Sequence, residues 1–178
     1  MKLPIFSYKK VLSTNSTALR LLNNGYLSGS IISELQSRGK GQQGKKWISK
    51  KGNLFATYFF EINKKLSLKK ITKFNVILIK KVISKLIKNK ITIKFPNDLL
   101  INNEKVSGLL QETLFKNDKK YLILGIGINI LNSPSINHYR TTYLNKYTNN
   151  KINKIKLFNL IRKQLILNKK FFLSNIWF

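Results

Sequence analysis

The 178 residues carry 34 lysines and arginines against six acids, a formal charge of +28, with 43% hydrophobic residues and no cysteine. That length and apolar content suit one globular domain over 1–178, while the missing cysteines exclude disulfides, thiolate metal sites and cysteine nucleophiles. A single histidine, His138, argues against a histidine metal cluster or a Ser-His-Asp triad.

The charge alone predicts attraction to nucleic acid or an anionic membrane. The lysines, however, are spread over every predicted element, and the chain is also rich in Asn, Ile, Phe and Tyr, residues with A/T-rich codons. Coding bias explains such a charge without a polyanionic partner, so neither a specific nucleic acid nor a membrane is expected. MKLPIFSYKK lacks the apolar run of a signal peptide, and the longest apolar run, 121–131, is too short for a bilayer and holds two glycines. A cytoplasmic protein is expected.

Residues 4–12 read as a short strand. Ser13, Thr14 and Asn15 then precede an apolar-periodic stretch with Ala18, Leu19, Leu21 and Leu22, which predicts a helix over 16–23 closed by Gly25. These polar residues serve as caps, and the free N–H groups at such a helix start also suit a ligand. Residues 30–36 read as a strand. The loop 36–53, QSRGKGQQGKKWISKKGN, follows, with Gly39, Gly41 and Gly44 formally spelling G-x-G-x-x-G among lysines. No helix opens within it, as a dinucleotide fingerprint requires, and no Gly-Lys-Ser/Thr provides a Walker A loop. What remains is a candidate phosphate cradle or a solvated basic loop; Trp47 favours the former, because a large aromatic is poorly used in a solvated loop.

Residues 53–62 are strongly β, with Phe55, Thr57, Tyr58, Phe59 and Phe60. Residues 67–89 have helical spacing, with Ile71, Phe74, Leu78, Val82 and Leu86 on one face, better matched to a core than to a membrane surface. A strand at 91–95 is broken by Pro96-Asn97-Asp98 and resumes at 99–101. Asn102-Asn103 reads as a hairpin turn, 105–115 as the returning strand with Gly108 inside, 116–120 as a polar turn, and 121–130 as a strand holding Gly125 and Gly127. Glycines inside strands mark close approach of a ligand or a second backbone. Residues 132–153 are loop-like, and 155–173 are helical. The mixture predicts an α+β fold with a mixed, largely antiparallel sheet flanked by helices.

Among the six acids Asp98 stands out, in KFPNDLL between apolar segments, where a carboxylate needs a partner. Pairing about Asn102-Asn103 brings Lys105 near Leu100, and so near Asp98. This pair is either an ordinary hairpin salt bridge or a device to bind and polarise a carboxylate or phosphate.

Five motifs now stand in order: STN at 13–15, QSRGKGQQGKKW at 36–47, FPNDL at 95–99, KVSGLLQE at 105–112 and GIGIN at 125–129. In this order and spacing they resemble the biotin–protein ligases, over residues 13 to about 130. The resemblance implies the fold shared with class II aminoacyl-tRNA synthetases. It also implies a two-step reaction: biotin and ATP, with Mg2+ on the phosphates, give biotinyl-5′-adenylate, which then acylates one lysine of a biotin carboxyl carrier protein. It implies Lys105 and Asp98 as catalytic residues. Biotin would be held by Ser13, Thr14, Asn15, Gln36, Lys40, Gly41, Gln42, Lys105 and Gly108. The nucleotide would be held by Gly39, Lys40, Gly44, Lys45, Trp47, Asn97, Lys105 and Asn129. No metal is expected on protein side chains, and a homodimer is left open.

The chain also departs from the pattern. Lysine stands at 40 and glutamines at 42 and 43 where family members commonly carry arginines, Gln42 where an arginine often helps retain the adenylate. A weaker hold on the intermediate is expected. With a start so near the first motif and an end at Trp177-Phe178, neither an N-terminal DNA-binding domain nor a small C-terminal β-domain is expected. Competing readings are a lipoate or octanoate transferase of the related fold, whose Arg-Arg-x-Ser-Gly-Gly-Gly stretch is missing here, a basic nucleic-acid-binding module, and a decayed ligase.

Overall fold

The β-branched and aromatic segments form one seven-stranded sheet in the computed structural model, which describes residues 1–174; the chain end at Trp177-Phe178 lies outside them. The strands are β1 (Ile5–Val11), β2 (Gly29–Gln36), β3 (Leu54–Ile62), β4 (Ile91–Lys94), β5 (Asp98–Ile101), β6 (Glu104–Lys116) and β7 (Lys119–Ile128), in the order β1-β2-β3-β7-β6-β5-β4. Only β1 and β2, joined through helix α1 (Thr14–Asn23), run parallel. Every other pairing is antiparallel, as the run of hairpins requires. The α+β expectation with a mixed, largely antiparallel sheet is borne out.

Helices cover both faces. On one, Ala18, Leu21 and Leu22 of α1 pack against Ile31, Phe59, Tyr121 and Ile123. On the other, α2 (Leu68–Ile83), α3 (Lys154–Leu167) and α4 (Lys169–Leu173) bury the larger core, which includes Tyr58, Phe60, Ile79, Leu122, Phe158 and Phe172. β3 is buried on both sides almost throughout, which is why its sequence is mostly apolar, Thr57 and Glu61 excepted, rather than alternating. Burial pushes the Tyr58 phenol well above the usual tyrosine value, and its hydroxyl donates to the Phe158 carbonyl at 2.8 Å, fastening β3 to α3. Tyr58→Phe is expected to lose about 1–2 kcal/mol of stability in urea unfolding; an unchanged midpoint would show that this bond contributes nothing.

Four boundaries differ from expectation. α1 begins at Thr14, two residues early, so Thr14 and Asn15 lie in its first turn and Ser13 takes the cap position without a side-chain capping bond. α2 stops at Ile83 because Leu86 N–H donates to Ile83 three residues back (2.9 Å), tightening the end into turns. Residues 91–101 are not one interrupted strand: the chain reverses at 95–97, with a cis Phe95–Pro96 bond, and Lys94 faces Asp98 across a hairpin. The last helix breaks at Asn168, whose side chain turns back onto the Gln164 carbonyl.

The two long hairpins turn at Asn102-Asn103 (φ 50° and 61°) and Asn117-Asp118 (φ 47° and 55°), left-handed pairs that suit two-residue hairpins and that Asn and Asp tolerate best. No helix among the described residues is long and apolar enough to cross a membrane.

Candidate active site

The sheet face that carries α1 is opened by glycines. Gly108 of β6 pairs with Gly127 of β7, two residues from Gly125. A methyl group at 127 would overlap the Trp47 indole, one at 125 would overlap the Asn15 amide, and one at 108 would reach within 2.9 Å of Trp47 and 3.1 Å of Lys105 Cε. An indole and an amide therefore lie directly on the backbone.

Asn15 is held from three sides. Its Nδ2 donates to Glu112 Oε2 at 2.7 Å and to the Leu110 carbonyl at 3.4 Å, and its Oδ1 accepts from Thr57 Oγ1 at 2.7 Å. Beside it, Gln36 Oε1 accepts from the Thr14 amide (2.8 Å) and hydroxyl (3.1 Å), while Gln36 Nε2 donates to Ser49 Oγ (3.1 Å). The start of α1 is thus fixed to three strands, β2, β3 and β6, and to the glycine loop.

That loop is itself a small hairpin. Lys40 faces Lys46, and the amides of Gly41, Lys45 and Trp47 donate to the carbonyls of Lys45, Gln42 and Gly39 at 2.7, 3.0 and 2.9 Å. A 3₁₀ turn at Gln42–Gly44 closes it, with Gln43 and Gly44 left-handed (φ 53° and 74°). Those three amides are engaged within the loop, so what it brings to the cleft is chiefly its ammonium groups. Trp47 Nε1 is buried without a hydrogen-bond partner among the described residues, a donor open to a ligand.

Lys105 is aimed by a bulge. Leu99 faces Ser107 but Leu100 faces Lys105, so Val106 is an extra residue. In a regular strand Lys105 and Gly108 would point to opposite faces; the bulge turns both toward the cleft. Asp98 faces Gly108, and Lys105 Nζ lies 2.8 Å from Asp98 Oδ1, the side chains being 17% and 20% exposed. The ammonium is also 5.4 Å from the ring centres of both Trp47 and Tyr139. Burial, and next the Asp98 charge, raise the Tyr139 phenol above its ordinary value, so it is a neutral hydroxyl at neutral pH.

Tyr139 and Arg140 arrive from the long polar stretch. Lys105 N–H donates to the Arg140 carbonyl and Thr142 N–H to that of Lys105, both at 2.9 Å. Asn129 Nδ2 fastens the same segment through the Thr142 carbonyl at 3.0 Å.

The cleft encloses about 240 Å3. Among the described residues, Lys40, Lys45, Lys46, Lys94, Lys105 and Arg140 line it against one carboxylate, Asp98. Six positive charges facing one negative favour an anionic ligand. No three His, Cys, Asp or Glu side chains gather among the described residues. This donor set suits a divalent cation carried in on a ligand's own phosphate oxygens.

Ser13, Thr14, Asn15, Gln36, Lys40, Gly41, Gln42, Lys45, Trp47, Asn97, Asp98, Lys105 and Gly108 all line this one cavity. Gly39, Gly44 and Asn129 stand behind it. Gly39 has no room for a Cβ beneath the Trp47 carbonyl, and Gly44 supplies the turn. Asn129 is buried and committed to Thr142 and to Asn53, whose Nδ2 lies 3.4 Å from its Oδ1. Asn97 ties the 95–97 reversal to β6 by exchanging bonds with Leu109 at 2.8 and 2.9 Å. Sequence reasoning missed Lys94, Tyr139, Arg140 and the Thr57–Glu112 clamp on Asn15. Arg140 had a usable signal, being one of four arginines among 34 basic residues.

The family model for the Biotin/lipoate A/B protein ligase family matches residues 9–129, about two thirds of the chain. The chain belongs to that family. It is 31% identical over 134 residues to the bifunctional ligase/repressor BirA of Bacillus subtilis (strain 168), covering 72% of this chain and 41% of that one. It is likewise 31% identical over 121 residues to BirA of Escherichia coli (strain K12), covering 66% and 38%. The matched region thus spans about two fifths of these curated relatives. Among solved structures, the biotin protein ligase from Aquifex aeolicus in complex with biotin and ATP superposes with a TM-score of 0.76 at 28% identity, covering 94% of this chain and 71% of that one.

Proposed function

We propose that this chain is a biotin–protein ligase that activates biotin with ATP as biotinyl-5′-adenylate and transfers the acyl group to a lysine of a biotin carboxyl carrier protein. The observation that carries the reading is the Lys105–Asp98 pair, aimed by a bulge into the only-once-negative, six-times-positive cleft. The relatedness to BirA and to the Aquifex protein supports biotin and ATP as its substrates.

In the first step a carboxylate oxygen of biotin attacks the α-phosphorus of ATP, an O–P bond forms, and pyrophosphate leaves with its electron pair. Anions must meet, and Lys105 offsets their repulsion by moving from Asp98 to the oxygens between acyl and phosphoryl groups. Lys40, Lys45 and Lys46 add positive charge from the loop. Ser13, Thr14, Asn15 and Gln36 orient biotin, and Gly108 admits its chain against the backbone. Magnesium, when bound to the nucleotide, neutralises phosphate charge. In the second step the acceptor amine gives a proton to Asp98 and attacks the acyl carbon, and AMP departs. Trp47 and the loop keep water from the adenylate between the steps.

Biotin-dependent exchange of labelled pyrophosphate into ATP tests the first step, with lipoate and octanoate as rival acids. Exchange with biotin is the expected result; exchange with lipoate or octanoate instead would overturn the reading in favour of the related acyltransferases.

Gln42 lines the cleft without charge. Gln42→Arg is expected to slow release of the adenylate about tenfold, the scale of one charge-assisted hydrogen bond, and to reduce labelling of bystander lysines. Bystander labelling no higher in the parent protein than in this variant would contradict a leaky site.

A further inference from the structure

We propose that Asp98, Trp47 and Tyr139 form the berth for the acceptor's ε-ammonium, that Tyr139 selects a cationic amine there, and that Lys105 fills this berth until the acyl-adenylate has formed. The inference rests on the ligase reading and adds to it how the second substrate is recognised.

The resting site already holds a lysine ε-ammonium. Lys105 Nζ is 2.8 Å from a carboxylate oxygen and 5.4 Å from two aromatic ring centres, the environment that recognises alkylammonium ions generally. An acceptor lysine presents the same chemical group. Both occupants cannot be there together, and formation of the adenylate supplies the reason for exchange: its new anionic oxygens draw Lys105 away. Asp98 Oδ1 has no hydrogen-bond partner besides that ion pair among the described residues. Once Lys105 leaves, a carboxylate that is 20% exposed needs a new cation.

Elsewhere the cleft repels an ammonium, since its other charged groups are five cations. Among the described residues that line the cleft, the berth holds the one negative charge. Tyr139 is 41% exposed, so it stands where an incoming side chain would enter. The bound ammonium gives one proton to Asp98, the freed lone pair forms the C–N bond, and the C–O bond to phosphate breaks with its electrons leaving on AMP. The second nitrogen proton follows onto the departing phosphate.

The test compares wild type, Tyr139→Phe and Tyr139→Leu using three nucleophiles: the carrier domain, propylamine, which is a cation at neutral pH, and hydroxylamine, which is not. Adenylate formation is read separately as pyrophosphate released without acceptor. We expect Tyr139→Leu to raise KM for carrier and propylamine about tenfold, the scale of a partly desolvated cation–ring contact. Hydroxylamine reactivity should be retained, and Tyr139→Phe, which keeps the ring, should behave as wild type. Equal losses with hydroxylamine and propylamine, or no loss with either, would overturn the berth. Failure of the wild type to make any biotinyl-adenylate would instead fell the ligase reading, and the berth with it.

Discussion

Replacing Lys105 with alanine is expected to slow adenylate formation by about a thousandfold, the upper range for removing one positioned donor from a developing anion. The hairpin register sets this side chain opposite Leu100 and the bulge at Val106 lets it share the cleft face with Gly108, while the loop lysines sit on a separate hairpin closed by its own backbone bonds. The same change leaves Asp98 without its 2.8 Å partner, so Asp98→Asn/Lys105→Ala is the proper companion: it removes the stranded charge. Stopped-flow or quench measurement of adenylate in both variants, with thermal unfolding as the fold check, decides the matter. Slow chemistry in two well-folded variants supports a direct role for the cation. Recovery of the rate in the double variant would mean that the single change acted only through Asp98.

Gly125→Ala is expected to weaken biotin binding about a hundredfold, because a displacement of about 1 Å at a positioning group can cost that much. Its methyl would occupy the Asn15 amide. Asn15 cannot yield cheaply, since Glu112, Thr57 and the Leu110 carbonyl fix both ends of that amide. The strain must pass into the first turn of α1, which bears Thr14 and its bonds to Gln36. Titration calorimetry with biotin checks this. Unchanged affinity would mean that Asn15 has slack its hydrogen bonds do not reveal.

Local chemistry carried much of the site into the sequence. Asn102-Asn103 set the hairpin register, and that register put Lys105 opposite Leu100 and beside Asp98, as expected. Gly108, Gly125 and Gly127 were recognisable as bare positions in strands, and each proves to be a close approach. The misses are non-local. The reversal at 95–97 reads like an interrupted strand because four-residue strands carry little periodicity. Tyr139 enters from a polar stretch held by pairing between Lys105 and Thr141 and by Asn129 on the Thr142 carbonyl, contacts with no sequence signature. The Asn15–Glu112 bond joins residues 97 apart. The bulge cannot be foreseen from alternation, since it is the place where alternation fails.

The measurement that bears most directly on the account is transfer of labelled biotin to a purified biotin carboxyl carrier domain in the presence of ATP and magnesium. The account predicts one labelled lysine per carrier domain, dependence on ATP, and loss of label when that lysine is replaced. ATP-dependent labelling with lipoate or octanoate but not biotin, or no acyl transfer at all from well-folded protein, would contradict it.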